Sequence, residues 1–202
     1  MIKRLFDFIF ASLGLLILSP FFLVIAILIK ASSKGPVFYK GIHAGRNGRP
    51  FKEYKFRTML VDAEKVGGST TADKDPRITK VGRFLRKYKI DELSQLINVV
   101  RGEMSLVGPR PELFEHTNLY NEEEKKILSV LPGITDYASL KFFELNKWVG
   151  EGDADKIYVE KVRPEKNRLR LLYVKNQSFW EDLRILMLTL WIIIKKICNI
   201  KN

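Results

Sequence analysis

Two adjacent carboxylates, Asp91 and Glu92, stand within the stretch RKYKIDELSQLINVVRGEMSLVGPRPE, residues 86–112. Arg83, Arg86, Lys87 and Lys89 lie just before the pair, and Arg110 comes after it in a stiff Gly108-Pro109-Arg110-Pro111 loop. A carboxylate can attack phosphorus to give an acyl phosphate. A second carboxylate beside it can ligate Mg²⁺, which takes one or two carboxylates and fills its shell from substrate phosphates. Arginine binds phosphate oxygens bidentately. Together these residue types support chemistry on an anionic substrate. A plainer reading is equally available: Asp is a favoured helix N-cap, and Glu in a first turn complements the helix dipole.

The elements that must position the pair can be read from pattern. Leu93, Leu96, Ile97 and Val100 recur at helical spacing, which predicts a short amphipathic helix beginning at Asp91 and stopping at Gly102. Asn47-Gly48 between β-prone residues predicts a hairpin, leading into KFRTM at 55–59. Residues 62–77 are polar and rich in Gly, Thr and Asp, the composition of a loop. Asn121 followed by three glutamates predicts an N-capped helix ended by Pro132-Gly133. Residues 136–156 are poorly periodic and carry Tyr137, Phe142, Phe143 and Trp148, by default core but also suited to lining a substrate. A helix over 158–175 should break at Pro164. His43 has no evident partner in the pattern and receives no role.

Both ends of the chain carry apolar segments. Leu5 to Ile29 is apolar with Asp7 its only charge, long enough for a bilayer that needs about 20 such residues. Cations flank it on both sides: Lys3 and Arg4 before, Lys30, Lys34 and Lys40 after. Cytoplasmic flanks carry the positive excess, so paired basic flanks suit a segment that enters and returns on one side. Pro20 supplies a break, because it lacks an N–H and crowds the turn before it near the Leu16 carbonyl. Ser19 can bond a freed backbone group locally. Each half would then be about 14 residues, roughly 20 Å. A kinked spanning helix fits the same residues. At the other end, SFWEDLRILMLTLWIIIKKI opens with Ser178 and Glu181 at capping-box spacing. Its apolar part is shorter than a span, and Trp180 and Trp191 suit a helix lying on the membrane face. A buried core helix is the alternative.

Composition agrees with a membrane-associated protein that meets anions. The 202 residues carry a net charge of +12, with 46% hydrophobic residues. Mean hydropathy is nevertheless close to zero, so the apolar residues are concentrated in places. Anionic lipid, phosphorylated substrates and nucleic acid all suit such a charge. Nucleic acid is set aside, because the aromatics are not interleaved with the basic residues as in a stacking platform. The single cysteine, Cys198, excludes an internal disulfide. Two function classes remain: an enzyme whose substrate is both anionic and lipid-soluble, such as a polyprenyl phosphate meeting a sugar nucleotide, or a basic membrane-anchored scaffold that binds anionic lipid without chemistry.

KFRTM (55–59), DPRITKVGRFLRKYKIDELSQLINVVRGEMSLVGPRPE (75–112) and PGIT (132–135) closely resemble the bacterial sugar transferases called monotopic phosphoglycosyl transferases. The likeness runs from Ser19-Pro20 to SFWEDLRIL, and the joint order of the motifs makes it specific. It implies transfer of a phospho-sugar from a UDP-sugar to polyprenyl (undecaprenyl) phosphate, releasing UMP, as a first membrane step of bacterial glycoconjugate assembly. It also implies that Asp91 is the nucleophile, forming an aspartyl phospho-sugar intermediate. Glu92 then supports Mg²⁺ together with Asp91, and Arg57, Arg86 and Arg110 bind phosphate. The implied fold is α+β and mostly helical. A re-entrant helix-break-helix with its break at Ser19-Pro20 occupies 1–34. It joins a cytosol-facing domain, 35–202, with a small β-hairpin and interfacial amphipathic helices, the last over 178–198. The implied location is the cytoplasmic face of a bacterial inner membrane, and a homodimer is compatible with it. Two departures stand out: Ser94 where proline is common, and DYASLKFFELN after PGIT, with Phe143 where an arginine often stands. Lys141 is the nearby cation that could substitute.

Overall fold

A computed structural model describes residues 2–63, 75–143 and 154–198. The chain opens with α1, Ile2–Ser32, which is long and apolar enough to cross a membrane by length and composition. Helical backbone continues on both sides of Ser19-Pro20, so the expected interruption amounts to one missing hydrogen bond. Proline cannot donate to the carbonyl four residues back. Ser19 Oγ donates to that same carbonyl, Leu16 O, at 2.8 Å. One stripe of α1 packs inward at helical spacing: Asp7, Ala11, Leu15, Leu18, Phe22, Ile25 and Ile29. The opposite face is exposed and apolar, with Leu16 at 71% and Ile17 at 66% of full exposure.

Strands β1, Phe38–Ala44, and β2, Pro50–Phe56, form the expected antiparallel hairpin, with Phe38 opposite Phe56 and Ala44 opposite Pro50. Asn47 and Gly48 both take positive φ, 57° and 72°, as a tight turn of right-twisted strands requires. After it come α2, Lys80–Lys87, a 3₁₀ turn over Ile90–Gln95, and α3, Leu96–Arg101. Gly102, at φ 83°, ends α3 as expected. Strand β3, Ser105–Val107, pairs in parallel with β4, Gly133–Thr135. Sequence pattern did not anticipate this pairing, because strands this short carry no period.

Between β3 and β4 lie α4, Phe114–Thr117, and a 3₁₀ helix, Glu124–Ser129. Glu123, not the expected Asn121, holds the N-cap position of the latter; Asn121 Oδ1 instead accepts from the Glu123 and Glu124 N–H groups at 3.0 and 2.9 Å in the turn that leads into the helix. Then come α5, Tyr137–Lys141; α6, Ala154–Ile157; α7, Arg163–Asn176; and α8, Phe179–Ile197. The break expected at Pro164 is instead a π-helical turn over Tyr158–Val162, leading into α7 with the proline in its first turn. The wider turn absorbs the missing N–H and the ring without stopping the helix. Ser178 caps α8 by accepting from Glu181 N–H at 3.2 Å. Asp182 and Ile185 of α8 are buried, while Trp180, Met187, Leu190, Trp191 and Ile194 are exposed, so α8 is not a core helix. Most of the loop expected over 62–77, and Trp148, lie outside the described residues.

Candidate functional site

The helix predicted to start at Asp91 starts one residue earlier and is built differently. Lys89, at φ 57°, is its N-cap in the left-handed region, and Asp91 lies inside the 3₁₀ turn rather than capping it. The predicted apolar face is also only partly right. Leu96 is buried, but Ser94, Gln95 and Asn98 are more deeply buried than Leu93, Ile97 and Val100. The reason is the outer edge of β2, whose backbone groups need partners that a two-stranded hairpin cannot supply. Ser94 Oγ donates to Tyr54 O at 3.0 Å, and Asn98 Oδ1 accepts from Tyr54 N–H at 2.9 Å. Asn98 Nδ2 donates to Lys52 O at 2.7 Å. Side chains of the dyad segment thus continue the sheet, which fixes Asp91 and Glu92 against the hairpin.

The two carboxylates have opposite environments. Asp91 is 7% exposed, and its Oδ1 is buried without a hydrogen-bond partner. Burial, then the neighbouring Glu92 charge, pushes its pKa up to about 6, against the pull of Lys89, Lys55 and Arg86. Glu92 is gripped by Arg110, Nη2 to Oε1 at 2.6 Å and Nη1 to Oε2 at 2.9 Å. Lys89 Nζ stands 3.7 Å from the same carboxylate. Burial raises Glu92, yet Arg110, Lys89 and Lys55 outweigh it and hold the group well below the usual carboxylate range. Burial lowers Arg110, but Glu92 and Glu53 more than compensate and raise it. One acid of the dyad is therefore clamped as an anion, and the other is kept unusually basic.

The three arginines of the expected phosphate set fall in different places. Arg110 is on Glu92. Arg86 reaches the field of Asp91, its Nε donating to Thr58 Oγ1 at 2.9 Å. Gly82 makes that approach possible, since a Cβ there would lie 2.0 Å from Thr58 O. Arg57 is spent on the end of α1, donating to Ser33 O at 2.8 Å and Lys34 O at 2.5 Å. Its Nε is buried without a partner. Ser19 and Pro20 sit within α1, in its middle third.

Pattern reading missed a buried cluster behind the dyad. Glu53 Oε2 lies 2.7 Å from Lys55 Nζ and 3.1 Å from His43 Nε2, while Glu53 Oε1 accepts from Gln95 Nε2 at 2.8 Å. His43, assigned no role from pattern, is thus partnered, and burial lowers its pKa more than Glu53 raises it. The available signal was register: His43, Glu53 and Lys55 share one hairpin whose turn was legible. Lys141 pairs with Glu165 at 2.6 Å in the open. The cations over the Phe143 ring are instead Lys89 and Lys196, at 6.0 and 5.0 Å from its centroid.

A hard divalent cation can be tested against these donors. Among the described residues no group of three or more His, Cys, Asp or Glu converges to hold a metal. Asp91 offers one open, buried carboxylate oxygen, whereas both oxygens of Glu92 are taken by Arg110. A Mg²⁺ ion that brings substrate phosphates as most of its shell would need only one or two protein carboxylates, and the open oxygen of Asp91 is the donor that fits it.

Residues 1–196 match the family described as bacterial sugar transferase. The chain is 41% identical over 194 residues to a UDP-glucose:undecaprenyl-phosphate glucose-1-phosphate transferase of Klebsiella pneumoniae, covering 94% of this chain and 39% of that protein. Over 192 residues it is 35% identical to a UDP-N-acetylgalactosamine-undecaprenyl-phosphate N-acetylgalactosaminephosphotransferase of Aeromonas hydrophila, covering 94% of this chain and 43% of that protein. It is also 39% identical over 188 residues to the uncharacterized sugar transferase EpsL of Bacillus subtilis, covering 93% of this chain and 85% of that protein. The chain thus spans less than half the length of the first two relatives.

Proposed function

Because this chain belongs to the bacterial sugar transferase family, we propose that it transfers a phospho-sugar from a UDP-sugar to polyprenyl phosphate. The names of its relatives support that reaction class, and they differ in the sugar. The observation that carries the mechanism is the buried Asp91 oxygen without a partner, beside a Glu92 held ionised by Arg110. A carboxylate with a pKa of about 6 is ionised at neutral pH, yet more basic than an ordinary one. That is the state a carboxylate nucleophile needs.

The proposed first step forms a bond from an Asp91 oxygen to the phosphorus that carries the sugar. The bond from that phosphorus to the bridging oxygen breaks, and UMP leaves with the electron pair. A polyprenyl phosphate oxygen then attacks the same phosphorus, the Asp91–phosphorus bond breaks, and polyprenyl-diphospho-sugar is released. Arg110 exchanges its bidentate grip on Glu92 for a bidentate grip on the incoming phosphate oxygens. Arg86 adds positive field at Asp91. Mg²⁺ bound by Asp91 and Glu92 would neutralise diphosphate charge that otherwise repels an anionic nucleophile.

Membrane seating is part of the same proposal. The inward stripe of α1 is packed on the rest of the protein from Asp7 to Ile29, and both ends are tied down. Arg4 donates to Val99 O and Val100 O at 2.6 and 3.1 Å, and Arg57 holds Ser33 and Lys34. A helix gripped at both ends by one body favours entry and return on one side over a crossing. The exposed faces of α1 and α8 would meet the acyl chains and headgroups, setting the dyad at headgroup height.

UMP release, measured over a panel of UDP-sugars with undecaprenyl phosphate and Mg²⁺, tests the reaction. Enzyme with UDP-sugar alone should yield a phospho-sugar adduct on Asp91 by mass spectrometry. Binding to anionic vesicles with no UMP from any UDP-sugar would instead identify the scaffold. For topology, Cys198 is replaced and cysteines are introduced at the two ends of α1. Labelling of both from the same side is expected, and labelling from opposite sides excludes re-entry.

A further inference from the structure

The backbone carbonyl of Val107, the last residue of β3, meets two side chains from different helices and, from within β3, Ser105 Oγ at 2.9 Å. Lys3 Nζ of α1 donates to it at 3.1 Å, and Tyr173 Oη of α7 stands 3.0 Å from it, sharing its one proton between this carbonyl and Asp182. Each donor also meets one oxygen of Asp182 in α8: Lys3 at 2.5 Å to Oδ2 and Tyr173 at 2.7 Å to Oδ1. The four groups close a ring in which Tyr173 and Asp182 are buried. The N-terminal helix α1 and the consecutive helices α7 and α8 therefore meet around one carbonyl.

The loop carrying Arg110 begins directly after that carbonyl. Gly108 N–H donates to Thr135 O at 3.0 Å, and Gly133 N–H donates to Pro109 O at 3.0 Å. Arg110 N–H donates to Asp136 Oδ2 at 3.2 Å. A Cβ on Gly133 would lie 2.0 Å from Gly108 N, so the loop and β4 are already at closest approach. Prolines at 109 and 111 remove backbone freedom on either side of Arg110. With the middle of the loop fixed by β4 and Asp136 and its far end by Glu112, the Val107 carbonyl is the anchor at its near end. The helices could be held together by apolar contacts at lower desolvation cost than a buried ion pair. The ring instead converges on the backbone that aims Arg110.

We propose that Lys3, Tyr173 and Asp182 are positioning residues for the reaction. By fixing the Val107 carbonyl they set where the Arg110 loop stands beside the dyad, within reach of Glu92 and of an incoming phosphate, and they tie that placement to the seating of α1 and α8. This rests on the phosphoglycosyl transfer proposed above. Loss of Lys3 or Tyr173 removes one of the groups on the Val107 carbonyl, and loss of Asp182 frees both of them to swing away, so each loss loosens Val107 and the loop with it.

Tyr173→Phe removes the hydroxyl alone and tests the idea in full-length protein reconstituted in phosphatidylglycerol–phosphatidylethanolamine vesicles. UMP release should fall about tenfold in kcat/KM, and amide exchange at Gly108 and Arg110 should quicken while the β1–β2 hairpin is unchanged. In an Arg110→Ala background, Tyr173→Phe should cost nothing further, since both act through one group. Lys3→Met should behave like Tyr173→Phe, with Lys3→Arg restoring most of the rate. Additive losses, or unchanged exchange at Gly108 and Arg110, would overturn the proposal. A wild-type protein that releases no UMP refutes the functional reading instead, and exchange at those two amides still decides the positioning claim.

Discussion

Two buried acids lie at opposite sides of the same proline-rich loop, and their surroundings differ in kind. Glu112, at the loop's end, accepts Arg170 Nη2 and Tyr158 Oη at 2.6 Å each. Burial raises its pKa, but Arg170 and Lys166 prevail and bring it down to about 2. Arg170 also bonds Asn167 Oδ1 at 3.2 Å and lies 3.9 Å from Asp136. Asp91, beside the Glu92 that Arg110 grips, keeps an oxygen without a partner and is pushed up to about 6. A buried charge that is paired and bonded holds a fold together; one left short of partners is an expense the fold carries for chemistry.

Breaking the dyad should have the largest effect on activity. Asp91→Asn is expected to lower UMP release on the order of a thousandfold or more, with no phospho-sugar adduct detected by mass spectrometry. Near-normal turnover would remove Asp91 from the mechanism. Breaking the other acid's pairing should act on stability instead. Arg170→Met strands Glu112 in the interior and should cost about 3–5 kcal/mol in chemical denaturation. If that variant keeps its stability but loses turnover, the two regions are not divided as described. Arg110→Ala spans the comparison, since it releases Glu92 without touching Glu112. UMP release should drop about a hundredfold, and the denaturation midpoint should fall as well, because Glu92 is left without its main partner.

The smallest effect concerns pH, and its sign differs between the two acids. Asp91 has a folded pKa above its unfolded value, so its ionisation destabilises the fold progressively from about pH 4 to about 6. Above that range Asp91→Asn should be more stable than wild type by roughly 3 kcal/mol. The advantage should vanish below about pH 4. Glu112 is the reverse, with stabilisation present above its unfolded pKa and lost as pH falls towards about 2. Turnover should rise with pH through about 6 as Asp91 ionises. A stability gain for Asp91→Asn confined to acid would contradict the assignment.

Much of the scaffold was legible because it rests on local rules. The Asn47-Gly48 turn, the Gly102 stop, the Ser178 cap and the Ser19 bond to Leu16 each reflect a residue's own local preference. The helix type and burial of the dyad segment were not legible. Apolar spacing pointed to Leu93, Ile97 and Val100, whereas the open edge of β2 draws in Ser94 and Asn98. That demand comes from a strand some 40 residues away, as the separation of the bonded pairs records.

The sequence by itself determined the residue types for the chemistry: a carboxylate pair, arginines before and after it, and apolar segments at both ends. Their order along the chain sufficed for the family, because local motifs survive without knowledge of contacts. Only the tertiary structure decided which acid is clamped and which is left basic, since desolvation and pairing depend on what is folded over each group. It also separated Arg57, spent on the end of α1, from Arg86 and Arg110 at the dyad. And it brought Lys3 and Tyr173 to one carbonyl with Asp182 joining them, a meeting of residues up to 179 positions apart that no periodicity could reveal.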